Sequence, residues 1–155
     1  LRRRDELHER GVRVRFIGRR GGRVPGRLRR QIADAEELTR DNKTMTLTFA
    51  FNYGGRAELV DAARAIGRDV AEGRLDPDKI TDRTVARHLY APDMPDPDLL
   101  VRTSGEFRIS NYLLWELAYA ELVFTDVLWP DFRREHLFEA IAEYQRRERR
   151  FGAVD

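Results

Sequence analysis

Two rhythms of apolar and polar residues run through the chain. Val12, Val14 and Phe16 alternate with Arg13 and Arg15, the period of a strand with one buried face. Residues 45–51 repeat that period, with Met45, Leu47, Phe49 and Phe51 on one face and Thr46, Thr48 and Ala50 on the other. Between them, Leu28, Ile32, Ala35 and Leu38 fall at helical spacing over residues 27–41. Asn52 to Gly55 breaks the second strand, and residues 56–72 then read as a helix burying Leu59, Val60, Ala63, Ile66 and Val70, stopped by Gly73. Four prolines, Pro77, Pro92, Pro95 and Pro97, punctuate the next stretch around a short helix over 82–89 with Thr81 as its N-cap. Leu99, Leu100 and Val101 form a third strand, an apolar helical pattern starts near Tyr112, and a short strand follows over 122–125. The last element is a helix over 133–150 with Leu137, Ile141 and Tyr144 inward. Strands alternating with helices predict an α/β fold, a mostly parallel central sheet flanked by helices, in a single domain over 1–155.

Composition narrows the class. With 155 residues and 41% hydrophobic content the chain can bury a sizeable core. Basic and acidic residues nearly balance, 29 against 27, and arginine supplies almost all of the basic side. The basic residues are interleaved with acids along helices rather than gathered with exposed aromatics, so no nucleic-acid partner is predicted. No cysteine is present, which excludes disulfides and thiolate metal sites and suits a cytoplasmic location. His8, His88 and His136 lie far apart, without a second ligand at metal spacing. No Ser-His-Asp or Cys-His constellation supports nucleophilic catalysis. The apolar window from Tyr112 to Val127 is broken by Glu116, Glu121 and Asp126, so no bilayer span is predicted.

The chemistry concentrates between Asp98 and Glu121. The strand ending at Val101 runs straight into a polar loop carrying Arg102, Ser104, Gly105, Glu106, Arg108, Ser110 and Asn111. Arginines at the carboxyl end of a strand can fork onto phosphate oxygens. Ser110 stands where the N-cap of the following helix is expected, which would turn backbone N–H groups toward the same anion. Gly105 permits a sharp turn or close approach. Ordinary surface arginines and an ordinary helix cap fit the same residues, as an ion pair fits Glu121, and both readings stand at this point.

The run from Arg102 through Glu106, Phe107, Arg108, Ile109, Ser110 and Asn111, then Leu113-Leu114-Trp115 and Ala118-Tyr119-Ala120-Glu121, resembles the C-terminal signature of the cis-prenyltransferases, above all bacterial undecaprenyl and decaprenyl diphosphate synthases. The likeness continues through Leu128-Trp129-Pro130-Asp131-Phe132 and 146–152, and upstream through Asn52-Tyr53-Gly54-Gly55-Arg56 and the strand from Val12 to Gly18. Phe107 departs from the pattern, since many relatives carry a polar residue there. The family's N-terminal Asp-Gly-Asn-Gly-Arg-Trp motif is not in the sequence. Residues 1–10 also read as the last turns of a helix closed by Gly11, so the chain is expected to be the C-terminal portion of such an enzyme, without its first β-α part.

The resemblance implies condensation of isopentenyl diphosphate with an allylic diphosphate into a long-chain (Z)-polyprenyl diphosphate, a lipid-carrier precursor for cell-wall synthesis. It implies that Arg102, Arg108, Ile109 and Ser110 hold the isopentenyl diphosphate and that Glu121 ligates Mg²⁺. The residues that act on the allylic diphosphate are expected in the missing N-terminal segment, so this portion alone is expected to be inactive. Met45, Leu47 and Phe49 are candidates for the wall of an apolar cavity that takes the growing chain. The tail Arg150-Phe151-Gly152 resembles one that reaches across a twofold interface, which implies a homodimer, with at most peripheral membrane contact through the lipid product. The competing reading is a non-catalytic scaffold subunit paired with a catalytic chain.

Overall fold

A computed structural model of the chain describes residues 3–21 and 24–147. Two compact units emerge, Leu1–Asp93 and Met94–Asp155.

In the first unit, α1 (Arg4–Glu9) ends before Gly11, whose φ of +70° turns the chain into β1 (Val12–Ile17). α2 (Gly26–Leu38) then leads to β2 (Met45–Ala50), which pairs with β1 in parallel from Val12↔Met45 to Ile17↔Ala50. Val12, Val14 and Ile17 of β1 are buried, as are Ile32 and Ala35 of α2, the helix that packs on β1. Phe16 is only half-buried; its ring stacks at 5.2 Å on that of Phe49, itself 42% exposed.

Side chains from the end of α2 and just beyond it cover the other edge of β1. Asn42 Nδ2 donates to the Val12 carbonyl at 2.9 Å, Thr39 Oγ1 accepts from the Val14 N–H at 2.9 Å, and Glu36 Oε1 accepts from the Phe16 N–H at 2.9 Å. Alternate residues of a parallel strand face the same neighbour, so three side chains at i, i+3 and i+6 serve backbone groups that a third strand would otherwise pair.

α3 (Gly55–Ala71) and α4 (Asp82–Arg87) complete the unit. The inner face of α3 is Gly55, Glu58 and Ala62, whereas Val60 is 47% exposed and Ala63 is exposed too. The helix is thus turned from the face its apolar residues predicted. A charged residue takes the inner position because it has partners there: Glu58 Oε1 accepts the Tyr90 N–H at 2.9 Å and Oε2 accepts the Tyr53 hydroxyl.

In the second unit, β3 (Leu99–Arg102) and β4 (Glu121–Phe124) pair in parallel from Leu99↔Glu121 to Arg102↔Phe124, and α5 (Arg134–Arg146) packs on both. The parallel sheet and flanking helices of the α/β expectation are present, as two separate strand pairs. The helix predicted from Tyr112 is not. Leu113, Glu116 and Leu117 are buried at helical spacing, but Ser110, Asn111 and Leu113 have φ of 50°, 64° and 42° and the backbone runs as successive turns. Left-handed residues cannot propagate a right-handed helix, so the apolar pattern has the period of a helix without its backbone. Ser110 therefore caps no helix. α5 is described as far as Arg147, and the tail at Arg150, Phe151 and Gly152 lies outside the described residues.

Candidate functional site

The predicted anion loop begins where β3 ends. The Arg102 carbonyl accepts the Thr125 N–H at 2.9 Å, which closes the strand pair. Its guanidinium is left with a buried Nε that meets no hydrogen-bond acceptor among the described residues. Burying a guanidinium N–H without an acceptor is costly, which sets this side chain apart from an ordinary surface arginine. Ser104 and Gly105 both take left-handed backbone, φ 71° and 65°. Their N–H groups bond Val127 and Thr125 carbonyls at 2.9 and 3.0 Å, fastening the turn to the residues after β4. The positive φ is what favours glycine at 105; a Cβ there would lie 3.1 Å from Asp126 Oδ1, a contact that a small shift of that side chain would relieve.

Beyond the turn the loop opens outward. Phe107 is 76% exposed, with its ring 5.2 Å from that of Phe124, the strand partner of Arg102. Arg108 is exposed and paired with Glu106. Ile109 is half-buried and its carbonyl accepts the Tyr112 N–H at 3.0 Å, while Ser110 is exposed. Among the described residues five non-glycine residues have positive φ, and four of them, Ser104, Ser110, Asn111 and Leu113, lie in this stretch. Such backbone costs of order 1 kcal/mol or more per residue and concentrates where a fixed loop shape serves a ligand.

Glu121 lies at the opposite end of the strand pair. The register sets it beside Leu99 and sets Arg102 beside Phe124, three residues further on, about 10 Å along the strands. Arg102 and the turn after it therefore gather at the carboxyl ends, and Glu121 stands at the amino end of β4. Its carboxylate Oε2 accepts from Arg147 Nη1 at 2.8 Å. That pairing and the bond to Glu143 hold the Arg147 pKa above its ordinary value, and Arg146 and Arg147 hold Glu143 below its own.

The first unit carries two features of interest. One is an open cleft of about 870 Å³ whose apolar lining includes Val14, Phe16, Ile32, Leu47, Phe49 and Phe51. Leu47 and Phe49 are among the predicted wall residues, whereas Met45 is 52% exposed and does not line it. The other is a knot that sequence reasoning missed. Arg19 forks onto both oxygens of Asp61 at 2.8 and 2.9 Å, and the Tyr90 hydroxyl donates to Asp61 at 2.6 Å. Together they lower the Asp61 pKa to about 2. Asn52, with φ 51°, completes the knot by donating to the Arg19 carbonyl at 2.7 Å. Glu58 was equally hidden, and its only signal was a carboxylate one helical turn from Gly55 and Ala62.

Comparison with known proteins settles the relationship. Residues 1–152 match the protein family described as "Putative undecaprenyl diphosphate synthase". The chain belongs to the cis-prenyltransferase family. This cis-prenyltransferase chain is 56% identical over 154 residues to the trans,polycis-polyprenyl diphosphate synthase ((2Z,6E)-farnesyl diphosphate specific) of Thermobifida fusca, covering 99% of itself and 54% of that protein. It is 51% identical over 153 residues to the decaprenyl diphosphate synthase of Mycobacterium bovis, covering 99% of itself and 51% of that protein. The chain thus spans about half the length of these curated relatives. Among solved structures, lavandulyl diphosphate synthase from Lavandula x intermedia, in complex with dimethylallyl diphosphate, superposes with a TM-score of 0.92 at 38% identity, covering 97% of this chain and 64% of that one.

Proposed function

We propose that this cis-prenyltransferase chain belongs to an enzyme that condenses isopentenyl diphosphate with an allylic diphosphate to make a long-chain (Z)-polyprenyl diphosphate. The observation that carries the reading is the buried Arg102 Nε, which has no acceptor among the described residues, at the carboxyl end of a parallel strand where α/β folds bind ligands. A diphosphate oxygen would satisfy it. Arg108 lies on the same loop, and its pairing with Glu106 is an exposed ion pair of small net stability that a diphosphate could replace. Ile109 and Ser110 follow on the same loop. Names of the relatives from Thermobifida and Mycobacterium support the diphosphate substrate and the polyprenyl product.

In this reading the arginines of the second unit hold and orient the isopentenyl diphosphate, so that its double bond can reach the allylic carbon as that carbon's bond to diphosphate breaks. A proton is then lost to leave the new cis double bond. For the lengthening hydrocarbon this reading offers the apolar part of the first unit's cleft, with Leu47 and Phe49 in its wall and the charged residues Arg3, Arg4, Glu6 and Arg10 also lining it. Mg²⁺, when bound, would neutralise charge on the departing diphosphate. Glu121 fits as one of its ligands, being a hard, half-buried oxygen donor. No group of three His, Cys, Asp or Glu able to hold a metal occurs among the described residues, so phosphate oxygens, water or other residues would complete the shell. No helix among the described residues is long and apolar enough to cross a membrane. We read the protein as a cytoplasmic homodimer whose two units belong to one catalytic domain, which the unbroken family match supports.

The test is calorimetric titration of the native-length protein with isopentenyl diphosphate. Arg102→Ala should weaken binding by about 1.5 to 3 kcal/mol, the range for hydrogen bonds to charged groups, and Arg108→Ala by a similar amount. Lysine at either position should restore only part of it, because the fork is lost. Wild-type affinity in both alanine variants would overturn the site.

A further inference from the structure

The run of charges that ends α5 reads in sequence as a solvated helix terminus, but one member of it is neither free nor paired only with its helix neighbours. Arg147, the residue that closes α5, donates from a single Nη1 to two successive residues of β4: Glu121 Oε2 at 2.8 Å and the Leu122 carbonyl at 3.0 Å. Its Nε reaches back to Glu143 Oε1 at 3.3 Å, one turn earlier on the helix. The Arg147 N–H bonds the Tyr144 carbonyl at 3.2 Å, which fixes the backbone from which the side chain departs.

We infer that Arg147 is the positioning residue of Glu121: it pins one carboxylate oxygen against the β4 backbone so that the other is presented in a fixed direction to a divalent cation. The inference rests on the reading of Glu121 as a metal ligand given above. Three features of the geometry carry it. First, the guanidinium is registered to the main chain of β4 through Leu122, so Glu121 is held relative to the strand and not merely to another mobile side chain. A simple ion pair would not need that second bond. Second, among the described residues only Oε2 of the Glu121 carboxylate has a hydrogen-bond partner, which divides the group's work: one oxygen for orientation, one for coordination. Third, Glu143 shares the guanidinium, so part of the positive charge that would repel an incoming cation is compensated at its source. Lysine could supply the charge but not the planar fork that reaches strand carbonyl, carboxylate and Glu143 together.

The test uses the native-length protein and Mn²⁺ as the probe. Its binding is followed by electron paramagnetic resonance in the presence of isopentenyl diphosphate, and metal-free thermal unfolding is followed alongside. Glu121→Gln should weaken Mn²⁺ binding by roughly tenfold or more, and Arg147→Gln also by roughly tenfold, the usual loss when the group that orients a ligand is removed. Arg147→Lys keeps the charge and should melt close to wild type while still binding Mn²⁺ several-fold more weakly. Wild-type Mn²⁺ affinity in Arg147→Lys and Arg147→Gln, with a loss in Glu121→Gln, would overturn the positioning role and leave Glu121 a ligand. A melting temperature lowered in Arg147→Gln with Mn²⁺ affinity intact in Arg147→Lys would also overturn it, making the contact a tether of α5 to β4. Wild-type Mn²⁺ affinity in Glu121→Gln would remove the metal reading itself, and the inference with it.

Discussion

Thr39 shows how much a single side chain can decide. It is fully buried, and its hydroxyl both donates to the Ala35 carbonyl at 2.8 Å and accepts the Val14 N–H at 2.9 Å. Removing the hydroxyl while keeping the shape leaves a strand amide buried without a partner, a loss of about 1 to 3 kcal/mol. Thr39→Val should therefore unfold at clearly lower urea, and Thr39→Ser, which keeps the hydroxyl and loses only a methyl, should lose less. Equal stability of the valine variant and the wild type would mean that the β1 edge is satisfied in another way. Glu58 belongs to the same class of residue, a polar group inside because its acceptor oxygens are used by Tyr53 and Tyr90. Neither role is readable from the sequence, where Thr39 looks like a helix end and Glu58 like solvent-facing charge, because the groups they satisfy are 25 and 32 residues away.

At the level of elements, α3 and α4 are clasped by His88. Its Nδ1 lies 2.7 Å from the Thr84 carbonyl and its Nε2 2.9 Å from Asp69 Oδ2. Both partners accept only, so both ring nitrogens must donate, which is possible only for the imidazolium. The Thr84 carbonyl and then Asp69 accordingly raise the His88 pKa above its ordinary 6.5, while His88 and Arg74 lower that of Asp69 below 3.8. A raised histidine pKa means the folded state binds the proton more tightly. Its contribution is complete below 6.5 and is lost as pH rises through the raised folded value. The Asp69 contribution is complete above 3.8 and is lost as pH falls through the lowered value. The clasp is therefore strongest in mildly acidic solution. Urea unfolding of wild type and His88→Gln at a series of pH values should show the stability difference shrinking from pH 6 toward pH 9, and a difference independent of pH would remove the charged clasp. The element that sequence pattern misjudged is the segment after Ser110. Its apolar residues have the period of a helix, and burial at Leu113, Glu116 and Leu117 obeys it, yet the backbone was decided by the left-handed residues Ser110, Asn111 and Leu113. Periodicity reports which side faces inward and is blind to the sign of φ.

At the level of the molecule, the chain matches only 54% and 51% of the length of its Thermobifida and Mycobacterium relatives. One diphosphate loop and one metal-ligand carboxylate are proposed within it. A radiolabelled isopentenyl incorporation assay on this chain, on the native-length protein and on that protein lacking residues 151–155 is expected to show turnover only in the second, with the third greatly reduced at little cost in melting temperature. Turnover by the first would mean that the allylic site lies within these residues, and full activity of the third would leave the tail without a catalytic part. What the sequence determined by itself is local and periodic. The parallel α/β succession, the boundaries of most elements to within a few residues, the turn glycines Gly11 and Gly105 and the membership of the Arg102–Ser110 loop follow from alternation, punctuation and motif, all of which act over a few neighbours. Tertiary structure decided the rest, because it sets which distant groups must share a hydrogen bond: the rotation of α3 that brings Glu58 to its tyrosines, the side-chain edge that replaces a strand beside β1, the orphaned Nε of Arg102, and the strand register that places Glu121 at the far end of β4 in the grip of Arg147.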